Sequence, residues 1–140
     1  MQITRETDYA MRCVLYLSGQ PEKVVMVDEI SREMATSKSF LAKILQKLVK
    51  AGVVKSFRGV KGGFQLNRAP KDINLLDVIE AIEGVVALNA CAVDSSLCGF
   101  SDTCGVHTVW VKLRGEVHEL MKKHNFADIA EATRKSAGRC

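Results

Sequence analysis

Three cysteines stand close together in a stretch of the chain that offers little to a hydrophobic core. Cys91, Cys98 and Cys104 are separated by six and five residues, most of them small or polar. A loop of this kind can bend several thiolates toward one point, as a soft metal centre requires. The chain has five cysteines, an odd number, which in a reducing compartment favours metal or redox chemistry over structural disulfides. The spacing therefore favours an iron–sulfur cluster, 2Fe-2S or 4Fe-4S, bound by these three thiolates.

A fourth ligand has to come from outside this triad. His107 lies one helical turn after Cys104, and imidazole is an accepted iron ligand. Asp8 is the other candidate, although the fold or a second subunit would have to deliver it. A thiol–disulfide switch and a zinc site are the alternatives, but a switch leaves one cysteine unexplained and zinc usually takes Cys-x-x-Cys pairs. Cys13 is expected to be a small core residue, and Cys140 to be incidental.

The charges of the chain are strongly segregated, although its net charge is only +4. Residues 37–71 contain nine basic and no acidic side chains, whereas residues 72–104 contain six acidic and no basic ones. A basic block of this density indicates a polyanionic partner such as double-stranded DNA.

The basic block also has the element order of a winged helix-turn-helix. Helices are predicted from a cap at Thr7 or Asp8 to Ser18, over Val27–Met34, and from a cap at Thr36 or Ser37 to about Gly52. Two short strands, Val53–Phe57 and Phe64–Asn67, then flank a glycine-rich basic tip. In such folds the third helix enters the major groove and the tip can enter the minor groove. The expected DNA contacts are Ser37, Lys38, Ser39, Lys43, Lys47, Arg58, Gly59, Lys61, Gly62 and Gly63.

Two further helices are predicted after the wing. The first runs from a cap at Asn74 to Glu83, and the second runs from about Val106 to Lys123, after the cysteine loop. The apolar stripe of the second helix comprises Val106, Val109, Trp110, Leu113, Val117, Leu120 and Met121. Because the winged-helix unit is already complete, this helix is expected to form a homodimer interface, and a two-fold dimer suits a palindromic operator. Residues 125–130 are expected to add at most a short helical turn.

The expected fold is mainly α with a small β-hairpin wing, divided into four parts. They are a winged helix-turn-helix (1–72), a connecting helix with the cysteine loop (73–104), a dimerisation helix (105–130) and a flexible tail (131–140). The hydrophobic fraction of 47% excludes a disordered chain, and no apolar run approaches the roughly 18 residues of a membrane span. With a charged N-terminus and no catalytic constellation, we expect a soluble, cytoplasmic protein that is not an enzyme and has no small-molecule substrate.

Several of these segments resemble a known family. They are residues 1–12, residues 37–41, residues 54–64, residues 77–84 and the cysteine triad followed by His107 and Trp110. Together they are similar to the Rrf-type bacterial transcriptional regulators, the IscR- and NsrR-like iron–sulfur winged-helix proteins, over nearly the whole chain. The resemblance implies a dimeric repressor or activator whose cysteine-loop cluster tunes its affinity for DNA. It implies His107, or Asp8 of the partner subunit, as fourth ligand, although the first cysteine gap is one residue longer than usual.

The resulting hypothesis is a cluster-dependent, DNA-binding transcriptional regulator, a repressor, that senses iron–sulfur status, redox state or nitric oxide. A transcription factor switched by thiol oxidation without a cluster is one alternative. An iron–sulfur or redox protein with no DNA role is the other, and such a protein has no need of the basic block at residues 37–71.

Overall fold

A computed structural model describes residues 2–137 of the chain. Within that range it contains α1 (Arg5–Ser18), α2 (Val27–Met34), α3 (Lys38–Lys50), β1 (Val54–Phe57), β2 (Gly63–Leu66), α4 (Leu75–Glu83), α5 (Gly105–Lys122) and α6 (Phe126–Ala137). Single 3₁₀ turns lie at Pro70–Asp72, Ala90–Ala92 and Ser95–Leu97. This mainly helical architecture with one antiparallel hairpin confirms the predicted fold class. None of the helices in the described range combines the length and apolarity needed to cross a bilayer.

Side-chain caps fix where the helices begin. The Ser37 hydroxyl accepts a hydrogen bond from the Phe40 amide at 3.2 Å, so α3 begins as predicted. Helix α1 begins earlier than predicted, because Thr4 rather than Thr7 or Asp8 is its N-cap. The Thr4 hydroxyl accepts from the Thr7 amide at 3.2 Å, and Thr7 itself is fully buried one turn inside the helix.

The wing is joined to the helix-turn-helix by a second pair of strand-like hydrogen bonds. Strand β1 pairs with β2, and Phe64 of β2 also pairs with Val25, with N–H to O=C distances of 2.8 Å in both directions. A Cβ at Gly63 would lie 2.3 Å from the Val25 carbonyl oxygen, and one at Gly62 would lie 2.4 Å from the Phe57 carbonyl oxygen. These two glycines are therefore required by close backbone packing, independently of any DNA contact.

The hydrophobic core of the winged-helix part is not formed by residues 1–72 alone. Buried side chains of α1, α3 and the wing form one cluster together with Ile73, Val78 and Phe126, which is 1% exposed. The Phe126 amide donates to the Ile73 carbonyl at 2.9 Å, and the Leu75 amide donates to the His124 carbonyl at 3.1 Å. The winged-helix part thus depends on α4 and α6 for its core. Cys13 is buried in this cluster as expected, and burial raises the pKa of its thiol to about 12.

The C-terminal segment differs from its prediction. A short turn followed by a flexible tail at 131–140 was expected, but α6 continues as a regular helix to Ala137, while residues 138–140 lie outside the described range. The Asn125 side chain accepts from the Asp128 amide at 3.0 Å and so satisfies an amide in the first turn of α6. Ile129 packs on the central core, one helical turn after Phe126. The polar composition after residue 130 concealed a helix that is stabilised by packing on α1.

Candidate functional site: a basic face and a cysteine segment

Helix α3 separates its apolar and polar side chains cleanly. Its buried stripe consists of Leu41, Ile44, Leu45 and Leu48, and its exposed face carries Lys38, Ser39, Lys43, Gln46, Lys47 and Lys50. A helix buried along one stripe in this way exposes the opposite, polar face to solvent. A helix of this size fits the major groove of DNA.

Two of the predicted DNA-contacting lysines already have carboxylate partners. The Lys38 ammonium lies 2.7 Å from a carboxylate oxygen of Asp28, and the Lys47 ammonium lies 2.7 Å from one of Glu6. Lys43 has no ion-pair partner within residues 2–137. Acidic groups of α1 and α2 therefore offset part of the basic block, a feature that the charge count along the sequence does not reveal. Because exposed pairs contribute little, Lys38 can exchange Asp28 for a phosphate at small cost.

The N-terminus of α3 presents small hydroxyl groups. The Ser37 and Ser39 hydroxyl oxygens lie 3.3 Å apart, and both residues are exposed. They sit at the positive end of the helix dipole, beside the amides that the first turn leaves unpaired. Short hydroxyl side chains in this position can reach either a phosphate oxygen or a base edge.

The wing tip is fully open to solvent. Arg58, Gly59 and Lys61 are exposed, and Gly59 has a φ of 104°, which favours glycine in this turn. Sequence reasoning missed Val60, which is 96% exposed between the two basic residues. It also missed Gln46, which lines a cleft between α3 and the wing. The helical period places Gln46 on the exposed face, one turn after Lys43, so that signal was available in the sequence.

The cysteine segment lies between α4 and α5. Cys91 is buried in the 3₁₀ turn at 90–92, Cys98 is half-buried after the next turn, and Cys104 is the half-buried N-cap of α5. All three are free thiols. In the described part of the chain, no three His, Cys, Asp or Glu side chains are grouped closely enough to hold a metal ion. The single chain therefore places the triad on one segment without assembling it into a metal site.

The two candidate fourth ligands have different surroundings. Nδ1 of His107 is buried and has no hydrogen-bond partner, and the residue is in the first turn of α5, beside Cys104. A buried nitrogen without a partner is costly, and a metal ion is one way to satisfy it. Asp8 is exposed on α1, where its carboxylate pairs with the Arg12 guanidinium at 3.2 Å. Three thiols and an unpartnered imidazole have the donor chemistry that an iron–sulfur cluster accepts.

Helix α5 buries none of its 18 residues completely. One side of it, which includes Trp110, Leu113, Val117 and Met121, is half-buried. The predicted apolar stripe is therefore only partly covered, because its members Val106, Val109 and Leu120 are exposed. Val111, which is not part of that stripe, is exposed as well. Exposed apolar side chains in this number on one long helix are typical of an association surface.

Comparisons with known proteins identify the family of the chain. The family model Rrf2, described as an iron-dependent transcriptional regulator, matches residues 3–132. Protein aau3 of Rhizobium meliloti (strain 1021) is 33% identical over 133 residues, which cover 94% of this chain and 86% of that protein.

Two solved structures share the fold. CymR, the global cysteine regulator of B. subtilis, aligns with a TM-score of 0.74 at 23% identity, covering 94% of this chain and 98% of that one. IscR of T. potens aligns with a TM-score of 0.74 at 24% identity, covering 97% of this chain and 90% of that one. The family match confirms the resemblance seen in the sequence: the chain belongs to the Rrf2 family and is a transcriptional regulator rather than an enzyme.

Proposed function

We propose that this protein is a cytoplasmic homodimer whose affinity for a palindromic DNA operator depends on an iron–sulfur cluster bound by Cys91, Cys98 and Cys104. The observation that carries the DNA-binding part is the acid-free basic block, which the fold divides between the exposed face of α3 and the wing tip. Lysines on the helix neutralise phosphates, while hydroxyls at its N-terminus reach base edges. Arg58 enters the neighbouring minor groove.

The two halves of the operator are matched by two copies of the chain. The exposed valines of α5 provide the apolar part of the interface, and Lys112, Glu116 and Lys123 lie on the helix beside Val111 and Leu120. A surface that carries both charges can be self-complementary across a two-fold axis. Equilibrium sedimentation tests the dimer, and Val109→Glu is expected to shift it toward monomer.

Binding to DNA is tested by its dependence on salt. Each phosphate that is neutralised contributes about −0.9 to the slope of log K against log salt concentration. Lys43→Glu combined with Arg58→Ala is expected to abolish specific binding to an operator selected with the wild-type protein. Lys43→Gln alone should weaken binding and reduce the slope by about one contact. An unchanged affinity in the double variant contradicts the assignment of this face to DNA.

The cluster is supported by the donor chemistry of the cysteine segment and by the unpartnered His107 nitrogen. When bound, it supplies a centre that gains or loses iron, electrons or nitric oxide, so that its loss changes the environment of the thiols. The decisive measurement is the visible absorption and Mössbauer spectrum of anaerobically purified protein, compared with those of Asp8→Ala and His107→Ala. A colourless wild type contradicts the cluster, and a spectrum altered in one variant only identifies the fourth ligand.

A thiol switch is the second candidate, because the described residues do not group three ligands. Cys98 and Cys104 are both half-exposed, as reactive thiols must be. This alternative predicts colourless protein in which mild oxidation joins Cys98 to Cys104. The operator affinity of the Cys98→Ser variant should then no longer respond to oxidation.

A further inference from the structure

One carboxylate joins the end of α4 to the beginning of α1. Oε1 of Glu83 accepts hydrogen bonds from the Thr4 amide at 3.1 Å, the Thr4 hydroxyl at 2.7 Å and the Thr7 hydroxyl at 2.6 Å. Hydrogen bonds from Thr7 and then from Thr4 lower the pKa of this carboxyl group. Thr7 is fully buried, so its hydroxyl depends on partners within the protein, and Glu83 is the acceptor it uses.

The N-terminal part of α1 also contacts α3, the helix proposed to enter the major groove and called the recognition helix below. Glu6, between the two threonines, pairs with Lys47 of α3 at 2.7 Å. Tyr9 meets the Phe40 ring of α3 edge-on, with the ring centroids 5.4 Å apart. A displacement of the N-terminal part of α1, which includes Glu6 and Tyr9, therefore moves contacts near both ends of α3.

Glu83 is also the last residue of α4, so it directly precedes the cysteine segment in the chain. The next residue, Gly84, has a φ of 81° and turns the chain toward α5. There the Val86 carbonyl oxygen accepts hydrogen bonds from Nε of Arg114 at 3.2 Å and from Nε2 of His118 at 2.8 Å. The segment that begins at Gly84 and contains the first cysteine is thus attached to α5 by Val86 and to α1 by Glu83.

We infer that Glu83 is a positioning residue that transmits the state of the cysteine segment to the recognition helix. It acts through Thr4 and Thr7 on the first turn of α1, and from there through Glu6 on Lys47. The inference rests on the proposed function, since it assumes that operator affinity responds to the cysteine segment. To that function it adds a path of contacts within one subunit, from the cysteine segment to α3. This path does not depend on which residue is the fourth ligand.

The test compares operator affinity in two states of the same protein, using a duplex selected with the wild type. One state is the protein as purified anaerobically, and the other is the protein after iron chelation. The wild type should show a ratio of affinities between roughly 5-fold and 150-fold, the usual range of allosteric coupling. In Glu83→Gln, which should still bind DNA, the ratio of the operator affinities in the two states should be near one. Glu80→Gln is the matched control, one turn earlier on the exposed side of α4, and should keep the wild-type ratio.

Hydrogen exchange provides a second measurement, whose difference between the two states would remain if Glu83 had only a structural role. Protection of the amides at 38–50 should differ between the two states in the wild type and in Thr7→Ser, which retains the hydroxyl. This protection should not differ between the two states in Glu83→Gln or in Thr7→Val. Thr7→Val serves as the test variant if Glu83→Gln fails to fold.

The outcomes distinguish the relay from the function on which it rests. A folded Glu83→Gln protein that keeps the wild-type ratio refutes the relay and leaves the sensing function intact. A wild-type ratio of one refutes the sensing function and the relay with it. A response that is lost in both Glu83→Gln and Thr7→Val, and retained in Glu80→Gln and Thr7→Ser, establishes the relay.

Discussion

Replacing Phe126 with alanine should destabilise the DNA-binding half of the protein, although the residue belongs to α6. The ring is 1% exposed and lies in the central cluster with side chains of α1 and α3. Truncating a fully buried phenylalanine costs about 3–5 kcal/mol, because apolar contacts are lost and a cavity remains. For a domain whose total stability is about 5–15 kcal/mol, this is a large fraction.

Urea denaturation followed by circular dichroism measures the effect. With a slope of about 2 kcal/mol per molar urea, the midpoint of Phe126→Ala should fall by roughly 1.5–2.5 M. Phe100→Ala is the matched control, because it makes the same chemical change on a ring that is 74% exposed, and it should shift stability by no more than about 0.5 kcal/mol. Equal shifts in the two variants would refute the conclusion that α6 completes the core of the winged-helix part.

Other substitutions test single features of the backbone and the thiols. Ala35 has a φ of 51° in the turn before α3, so Ala35→Gly should raise the unfolding free energy by about 0.5–1 kcal/mol in thermal melts, whereas Ala51→Gly, at an ordinary helical φ, should not. Gly63→Ala should detach the wing and lower both stability and operator affinity, while Gly99→Ala, with nothing within 4 Å of the added Cβ, should leave both unchanged. Cys13, whose pKa is raised to about 12, should be the last of the four described thiols to react with a thiol reagent, as resolved by mass spectrometry of native protein.

The local features of the fold were accessible from the sequence because short-range chemistry specifies them. Ser37 and Asn74 are hydrogen-bonding caps, and the positions of α2, α3 and α4 follow from these caps and from apolar periodicity. The hairpin was located within one residue at each end, because glycines and β-branched residues mark it. These signals act over a few residues and need no knowledge of the rest of the chain.

The features that were missed depend on contacts between distant segments. The polar composition of α6 hides the packing of Phe126, and the ion pair of Lys47 depends on Glu6, which no local pattern associates with α3. The packing role of Gly63 was likewise hidden in the sequence, because only the fold reveals the Val25 carbonyl beside it. For the cysteine segment, spacing identified candidate ligands, but it could not place the three sulfurs relative to one another.

The packing of α6 on α1 has a consequence for the order in which the chain can fold during synthesis. The backbone hydrogen bonds between residues 73–75 and 124–126 cannot form until the ribosome has synthesised residue 126. At about 5–20 residues per second, translation from residue 72 to residue 126 takes roughly 3–10 s. During that interval the apolar side chains of the nascent winged-helix part lack their covering helix. The polypeptide therefore reaches its DNA-binding form only after α5, with its exposed valines, has also been synthesised.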